Sequence, residues 1–411
     1  MDIFGEKQTK FKKIRPNKHL QNSLSIIYYL GFWPEWAKYK YLYNIYTTFN
    51  LTFLLGIIIT SNIVYVIINW GNIEKNRINK HIILLDTFYI CKQVTYIICR
   101  RRRIKDLIDI TNSEMFNRDN DKYERITAYY TWQAIFHQIT YQTFGFIAVI
   151  SWGSTPILYQ ISGRSKQLPM VGWYPYNVTS TPIFEFTSLH QFVVVCTSCI
   201  NNIAIDTLAT GLIATACCQL TILNYNISSM HCIIEKKYTL LNDNVSIENS
   251  TLKVYSKIYE DLKHFSQLKI QISTSILQIY THITKYFQFL KTNPRLCTLY
   301  LLHSQMKDYV TSEFLGTLLY TCCVIYQIFI YCWHGNELHL HSMKICSSAY
   351  ANNWWDNSRD FKHALLIIMA RAQWPLILIV GNVMELSLQN FVLILRTSYS
   401  IFTVLRTSTA T

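Results

Sequence analysis

The chain has 411 residues, of which 50% are hydrophobic, 15% aromatic and only 15% charged. Soluble domains carry about 25% charged residues, so this composition favours a membrane protein with a sizeable polar portion outside the bilayer. The formal net charge of +14 would also suit nucleic-acid binding. Its distribution between apolar runs indicates membrane topology instead, and we expect membrane lipid and no nucleic acid as partners.

The N-terminal residues 1–18 are polar and basic and contain no secretory signal, so we expect them in the cytosol. A short apolar stretch, 23–30, follows and ends in Gly31-Phe32-Trp33-Pro34. It is too short to span a bilayer. The sequence therefore predicts an interfacial or re-entrant helix anchored by aromatic residues.

Seven apolar segments are long enough to be membrane-spanning helices. The third and fourth exceed the thickness of a bilayer and are expected to tilt or to project beyond it. The fifth is the weakest, because Lys291 and Arg295 interrupt it. The predicted spans are approximately 42–69, 80–99, 127–159, 186–224, 283–306, 312–333 and 385–407, with a shorter helix at 361–380 before the last one.

Charge placement predicts the orientation of these spans. Eight Lys and Arg residues precede the first span and eight more lie between the second and third, whereas the alternate connections carry three, two and one. The positive-inside rule then places the N-terminus in the cytosol and, after seven crossings, the C-terminus outside. The sequon at Asn177 is expected outside and glycosylated, whereas those at Asn226, Asn244 and Asn249 are expected inside.

These features divide the chain into four segments. They are a cytosolic N-terminal segment, 1–41, helices one to four, 42–261, helices five and six with further cytosolic helices, 262–384, and the last helix, 385–411. Other classes lack support in the sequence: it has no enzyme nucleophile or metalloprotease motif, no G-protein-coupled receptor motif at the expected place, and no internal repeat of a transporter. His334, His339 and His341 cluster near Cys332 but lack convincing metal-ligand spacing.

The last predicted helix is unusually rich in hydroxyl groups. Thr397, Ser398, Ser400, Thr403 and Thr407 are interleaved with apolar residues. Hydroxyl groups in hydrocarbon need hydrogen-bond partners, so one side of this helix is expected to face water or another subunit. Small hydroxylated residues also mediate ordinary helix packing in membranes, and both alternatives stay open on composition alone.

The run from Thr397 to Leu405, Thr-Ser-Tyr-Ser-Ile-Phe-Thr-Val-Leu, resembles the closing signature of the insect odorant receptor family. Further stretches of the chain resemble other motifs of that family, in the same order. A gustatory-type channel of the same superfamily is the nearest alternative, but its typical Thr-Tyr-x-x-x-x-x-Gln-Phe ending does not follow here. The matching stretches are Gly31 to Pro34, Leu168 to Pro175, Tyr331 to Leu338, Arg371 to Leu376 and Gly381.

The resemblance implies an all-α membrane protein with seven transmembrane helices, inverted topology and a cytosolic helical anchor, here at about 262–286 and 335–373. Those anchor stretches could instead lie on the membrane surface. It also implies a ligand-gated, non-selective cation channel, without enzymatic activity or cofactor, in the plasma membrane of olfactory sensory neurons. The short connection at 225–261 resembles that of odour-tuned subunits, which form heterotetramers with a coreceptor.

The family resemblance also implies where a ligand and a gate would lie. A hydrophobic constriction is expected at Val404, with Ser408 one turn further out, so the predicted pore and gate residues are Ser400, Ile401, Val404, Leu405 and Ser408. A small hydrophobic volatile would bind among helices two, three, four and six. The predicted ligand-binding residues are Leu85, Tyr89, Tyr141, Phe144, Gly145, Ala148, Val194, Thr197, Leu319, Tyr320 and Cys323.

Asp86 and His190 are ionisable residues within predicted spans. Such groups are usually paired or functional. They could contact a polar atom of the ligand or form an internal hydrogen-bonded pair, and the sequence leaves both possibilities open.

Overall fold

The computed structural model describes most of the chain as a bundle of long helices. The described residues are 18–68, 102, 104–106, 108–109, 121–163, 166, 168–170, 172–228, 312–351, 354–356, 359–380 and 384–410. The predicted second and fifth spans and the predicted anchor stretch 262–286 lie outside these residues.

The described helices and strands follow one another along the chain, with a π-helical turn, Leu51–Gly56, joining two of the helices. Short 3-10 turns occur at Pro34–Trp36 and Trp354–Asp356. In chain order, the elements are α1 (Lys18–Tyr29), α2 (Lys40–Asn50), α3 (Ile57–Ile68), α4 (Asp121–Gly153), α5 (Thr155–Ile161), α6 (Ile183–Ser228), α7 (Ser312–Tyr350), α8 (Arg359–Ala372), β1 (Ile379–Val380), β2 (Met384–Glu385) and α9 (Leu388–Ala410).

Helix α6 is the centre of the bundle. Every residue from Ile203 to Cys218 is buried, so α6 is covered on all sides by α1, α4 and α7. Small residues such as Ala204, Ala209 and Gly211 allow neighbouring backbones to approach closely, as in other helical membrane proteins.

The short helix α1 packs directly on α6. Leu20, Leu24 and Ile27 are buried on one face of α1, which is the spacing of a single helical stripe. The Ser23 hydroxyl lies 3.0 Å from the Thr207 hydroxyl of α6. Gly31 ends the segment with a φ of 92°, a backbone conformation that glycine adopts at little cost.

Four helical segments within the described residues are long and apolar enough to cross a bilayer: Lys40–Tyr65, Lys122–Ile161, Ile183–Ser228 and Leu318–Tyr350. Helix α4 has an exposed apolar side. Trp132, Phe136, Ile139, Phe146 and Ile150 are exposed along one side of α4, and a continuous apolar exposed stripe suits contact with hydrocarbon.

The helix boundaries differ from the predicted spans at several places. The third span, predicted to continue to 159, is divided at Ser154, because Pro156 lacks the backbone N–H that would continue the helix. The sixth, predicted to end at 333, continues as α7 to Tyr350. The helix predicted for 361–380 ends at Ala372, shortly before Pro375.

The last helix begins three residues later than predicted, at Leu388. The two-residue strands β1 and β2 form an antiparallel hairpin immediately before it. The Leu386 N–H donates to the Leu378 carbonyl oxygen at 2.9 Å, which holds the start of α9 beside the chain that leaves α8. The predicted boundary at 384/385 therefore falls within β2, and the one at 41/42 falls in the first turn of α2.

Candidate functional site

Helices α4, α6 and α7 meet at Gly145. A Cβ atom at this position would lie 2.8 Å from Ile203 Cδ1 and 2.9 Å from Cys199 Sγ on α6, and 3.9 Å from Cys323 Sγ on α7. Only a residue without a side chain fits such an approach without movement of the neighbours. We call these four residues, Gly145, Cys199, Ile203 and Cys323, the Gly145 junction.

An aromatic wall borders this junction. The Tyr326 ring of α7 lies 5.7 Å from the Phe144 ring and 6.1 Å from the Tyr141 ring, both on α4. The Tyr326 hydroxyl is 2.8 Å from His137 Nδ1. Rings at these separations attract one another through their quadrupoles and dispersion. Aromatic rings, aliphatic groups and thiols in one place form a surface that suits a small ligand of low polarity.

A buried carboxylate lies beside this wall. Asp206 of α6 is 1% exposed. Its Oδ1 accepts a hydrogen bond from the Tyr331 hydroxyl at 2.7 Å, and its Oδ2 accepts from Gln327 Nε2 at 2.5 Å and from the Tyr141 hydroxyl at 3.2 Å. Three donors thus compensate a charge that would be costly to bury alone.

Asp206 and Tyr326 were not among the predicted site residues. The signal for Asp206 was present, since an acidic residue within the apolar run of the fourth span is the same observation that drew attention to Asp86 and His190. Tyr326 gave no such signal. It lies two turns or fewer from other tyrosines of α7, and only the packing of α7 on α4 distinguishes it.

The predicted ligand-binding residues lie at several places. Tyr141, Phe144, Gly145 and Cys323 come together at the junction and its aromatic wall. Ala148 is buried one turn further along α4. Leu319 is half-buried and Tyr320 is 39% exposed, one turn before Cys323. Leu85 and Tyr89 lie outside the described residues.

The two predicted residues of α6 do not join the junction directly. Val194 is buried, but five residues of helix, or about 140 degrees of rotation, separate it from Cys199. The Thr197 hydroxyl donates to the Val194 carbonyl oxygen at 3.0 Å. His190 Nε2 lies 3.0 Å from the Phe53 carbonyl oxygen. Asp86, its possible partner in the sequence prediction, lies outside the described residues.

Hydroxyl groups on α9 donate hydrogen bonds to carbonyl oxygens of their own helix. Thr397, Ser398 and Ser400 donate to the carbonyl oxygens of Leu393, Ile394 and Arg396 at 2.8 to 3.1 Å. These bonds supply the partners that a hydroxyl needs in hydrocarbon, so hydroxyl content alone does not require that α9 faces water. Ser400 is exposed, and the side chains of Ile401, Val404, Leu405 and Ser408 lie outside the described part of the helix.

Helix α9 contacts the bundle through α7. The Phe391 ring lies 5.7 Å from the Phe329 ring in an edge-to-face arrangement, and the Phe329 ring lies 6.1 Å from Tyr326. The aromatic wall at the ligand-binding candidates is therefore continuous with the contact between α7 and the last helix.

A family model described as 7tm Odorant receptor matches residues 78–399, which include α4, α6, α7, α8 and most of α9. The chain belongs to the odorant receptor family of insects. This odorant receptor is 23% identical to Odorant receptor Or2 of Anopheles gambiae over 339 residues, which are 82% of this chain and 86% of the relative. It is 33% identical to Odorant receptor 10 of Aedes albopictus over 159 residues, 39% and 40% of the two chains.

The fold of this odorant receptor is that of a solved insect receptor. It is similar to the insect olfactory receptor OR5 from Machilis hrabei in complex with eugenol, with a TM-score of 0.77 at 14% identity over 95% of this chain and 98% of that one. A second structure of the OR5 receptor from Machilis hrabei is similar with a TM-score of 0.74, over 95% of this chain and 97% of that one. The seven-helix membrane fold expected from the sequence is confirmed. The family is one of receptors and not of enzymes.

The histidines of this odorant receptor have partners other than a metal. His341 Nε2 lies 2.9 Å from the Tyr130 hydroxyl and 3.3 Å from Glu337 Oε2, and the His334 ring lies 5.3 Å from that of His137. Among the residues that the structure describes, no three His, Cys, Asp or Glu side chains are arranged to hold a metal ion.

Proposed function

We propose that this odorant receptor is the odorant-binding subunit of a ligand-gated, non-selective cation channel that also contains an odorant coreceptor. The observation that carries the proposal is the Gly145 junction, where three helices meet beside an aromatic wall that is continuous with the last helix. A ligand held at this junction would contact α7, and α7 contacts α9.

The ligand is a small hydrophobic volatile. Support comes from the chemistry of the residues around the junction, which are aromatic, aliphatic or thiol-bearing, and from the eugenol complex of a receptor with the same fold. Ligand sites of this kind are mostly apolar with few polar groups. Tyr141 and His137 supply such groups here.

The pore is lined by α9 of each subunit, with a hydrophobic gate at Val404. A ring of apolar side chains blocks ions because a cation cannot replace its hydration there. The signature that ends at Leu405 and the contact of α9 with α7 support this assignment. The gustatory-type alternative has weaker support, because the matching family model is that of odorant receptors.

The N-terminus lies in the cytosol and Asn177 lies outside. The distribution of Lys and Arg supports this orientation. The cell is an olfactory sensory neuron, the membrane is the plasma membrane, and the coreceptor completes a heterotetramer. The short connection between the fourth and fifth helices supports the role of a tuned subunit.

Co-expression with a coreceptor tests this function. Cells that carry both chains should give odorant-evoked cation currents to some members of a panel of neutral alcohols, esters, aldehydes and eugenol. Cells with the coreceptor alone serve as the control, and cells with this chain alone should give little current. Robust currents from this chain in cells that lack a coreceptor would refute the subunit role, and no evoked current from the pair at normal surface expression would refute the channel role.

A further inference from the structure

The carboxylate of Asp206 lies where α4, α6 and α7 meet, and no role has been given to it above. Tyr141 of α4 and Gln327 of α7 donate to its Oδ2, and Tyr331 of α7 donates to its Oδ1. Gln327 and Tyr331 are four residues apart, so they project from the same face of α7 in successive turns. One side chain of α6 therefore joins two other helices.

Each of these bonds constrains the group that donates it. A buried acceptor that carries charge forms stronger hydrogen bonds than a neutral one, and loss of one donor leaves part of the carboxylate without compensation. Two of the donor residues are next to the aromatic wall: Tyr141 is three residues before Phe144, and Gln327 directly follows Tyr326.

The Tyr141 hydroxyl bond places an aromatic ring of the odorant site. That ring is 1% exposed and packs against Tyr326, one turn before Gly145. On α7, Phe329 lies between Gln327 and Tyr331 and meets Phe391 of α9. The same carboxylate thus fixes a ligand-site ring on one helix and the turn of α7 that contacts the last helix.

We propose that Asp206 is a positioning residue of the odorant site, which holds Tyr141 of α4 against Gln327 and Tyr331 of α7 so that odorant binding and the placement of α7 beside α9 depend on one buried carboxylate. This inference rests on the proposed function. Asp206 does not contact the odorant; it acts through the tyrosines that donate to it.

Removal of single hydroxyl groups tests the proposal with little change of shape. Tyr141→Phe and Tyr331→Phe each delete one donor to Asp206. Tyr130→Phe is the matched control, because Tyr130 is also a buried α4 tyrosine whose hydroxyl bridges to α6 and α7, through Thr221 at 2.8 Å and His341 at 2.9 Å. It lies three turns of helix away from Tyr141.

The variants are expressed with the coreceptor, and surface labelling measures how much of each reaches the membrane. The probe is the compound of the panel that activates the unchanged receptor most strongly. Tyr141→Phe and Tyr331→Phe should each raise its half-maximal concentration about ten-fold or more, the loss expected for one hydrogen bond to a charged group. Tyr130→Phe should leave it unchanged.

Asp206→Asn separates positioning from general packing. It keeps the shape of the side chain but places an amide N–H against a donor, so it should also raise the half-maximal concentration. Tyr141→Phe added to Asp206→Asn should then change it less than about two-fold further, because the bond is already lost.

Three results would overturn the positioning role: unchanged half-maximal concentrations in both tyrosine variants, an equal shift in Tyr130→Phe, or full additivity with Asp206→Asn. If Asp206→Asn fails to reach the surface, the comparison among the three tyrosine variants still decides. No current from the unchanged receptor paired with the coreceptor would instead refute the proposed function, and the positioning role with it.

Discussion

Gly145 of α4 leaves no room for a side chain beside α6. A methyl group at this position would lie within 3 Å of Ile203 Cδ1 and Cys199 Sγ, closer than van der Waals contact, so both neighbours must move. Overpacking of this kind costs about 1 kcal/mol or more. We expect Gly145→Ala to raise the half-maximal odorant concentration roughly five-fold or more in dose-response recordings with the coreceptor.

The matched control for this prediction is Gly56→Ala. The only neighbour within 4 Å of a Cβ atom there, among the described residues, is the Leu51 carbonyl oxygen at 3.5 Å, an ordinary contact. Gly56→Ala should therefore respond as the unchanged receptor does. If both alanine variants give the same dose-response curve, the close approach at Gly145 has no role in odorant sensitivity.

The sequence predicted part of this site because helical periodicity and family resemblance identify inward faces of single helices. Tyr141, Phe144 and Gly145 share one helix, and their common face was recognisable. Which faces of different helices meet depends on rotation and register between them. That is why the contact of Tyr326 with Phe144 and Tyr141 was not predicted. A role for Asp206 was predictable, because ionisable residues within membrane spans are usually paired or functional.

Helix α1 docks on α6 through a buried histidine. Burial lowers the pKa of His19 to about 4, an effect that its hydrogen bond with the Gly211 carbonyl oxygen opposes. The docked state therefore requires a neutral imidazole. Its stabilisation is fully present above the unfolded pKa of about 6.5 and is lost as the pH falls towards 4.

Thiol labelling of purified receptor measures this docking. Ser23→Cys is buried against Thr207 and should react only when α1 detaches, whereas Gln21→Cys on the exposed side of α1 reports the intrinsic reactivity. Labelling is measured on the proteolytic peptide that contains α1. The labelling rate of Ser23→Cys divided by that of Gln21→Cys should rise roughly ten-fold from pH 7 to pH 5.5. In a His19→Gln background the ratio should stay constant. The same rise in that background would exclude His19 as the cause.

Span prediction from apolarity identified the described long helices but not where they end. Helix α7 continues beyond residue 333 because Leu338, Ser342, Ile345 and Ala349 are buried at helical spacing in a more polar sequence. Helix α8 ends before Pro375, and the Leu376 N–H donates to the Ser342 hydroxyl of α7 at 2.9 Å instead of continuing a helix. Tertiary contacts, and not local hydropathy, decide these ends.

The orientation proposed from the distribution of Lys and Arg predicts one glycosylation site, Asn177. Asn177 is exposed, and its Oδ1 accepts hydrogen bonds from the Thr179 N–H at 3.1 Å and the Thr179 hydroxyl at 2.7 Å, so the sequon forms a surface turn. We expect Asn177→Gln to abolish the glycosidase-sensitive mobility shift on gels. Asn226→Gln is the control and should retain that shift. A glycan on Asn226, Asn244 or Asn249 with none on Asn177 would show the opposite orientation.

The calcium-to-sodium permeability ratio of the receptor–coreceptor channel tests most directly whether this chain lines an odorant-gated ion pore. Reversal potentials give this ratio. A carboxylate in a hydrophobic constriction attracts water and can also coordinate a cation. Val404→Asp should therefore raise the resting leak and shift this permeability ratio, whereas Val404→Leu should preserve the ratio and leave the conductance unchanged or reduced. If Val404→Asp reaches the surface with the coreceptor and leaves leak, permeability and odorant activation all unchanged, the last helix does not line the pore.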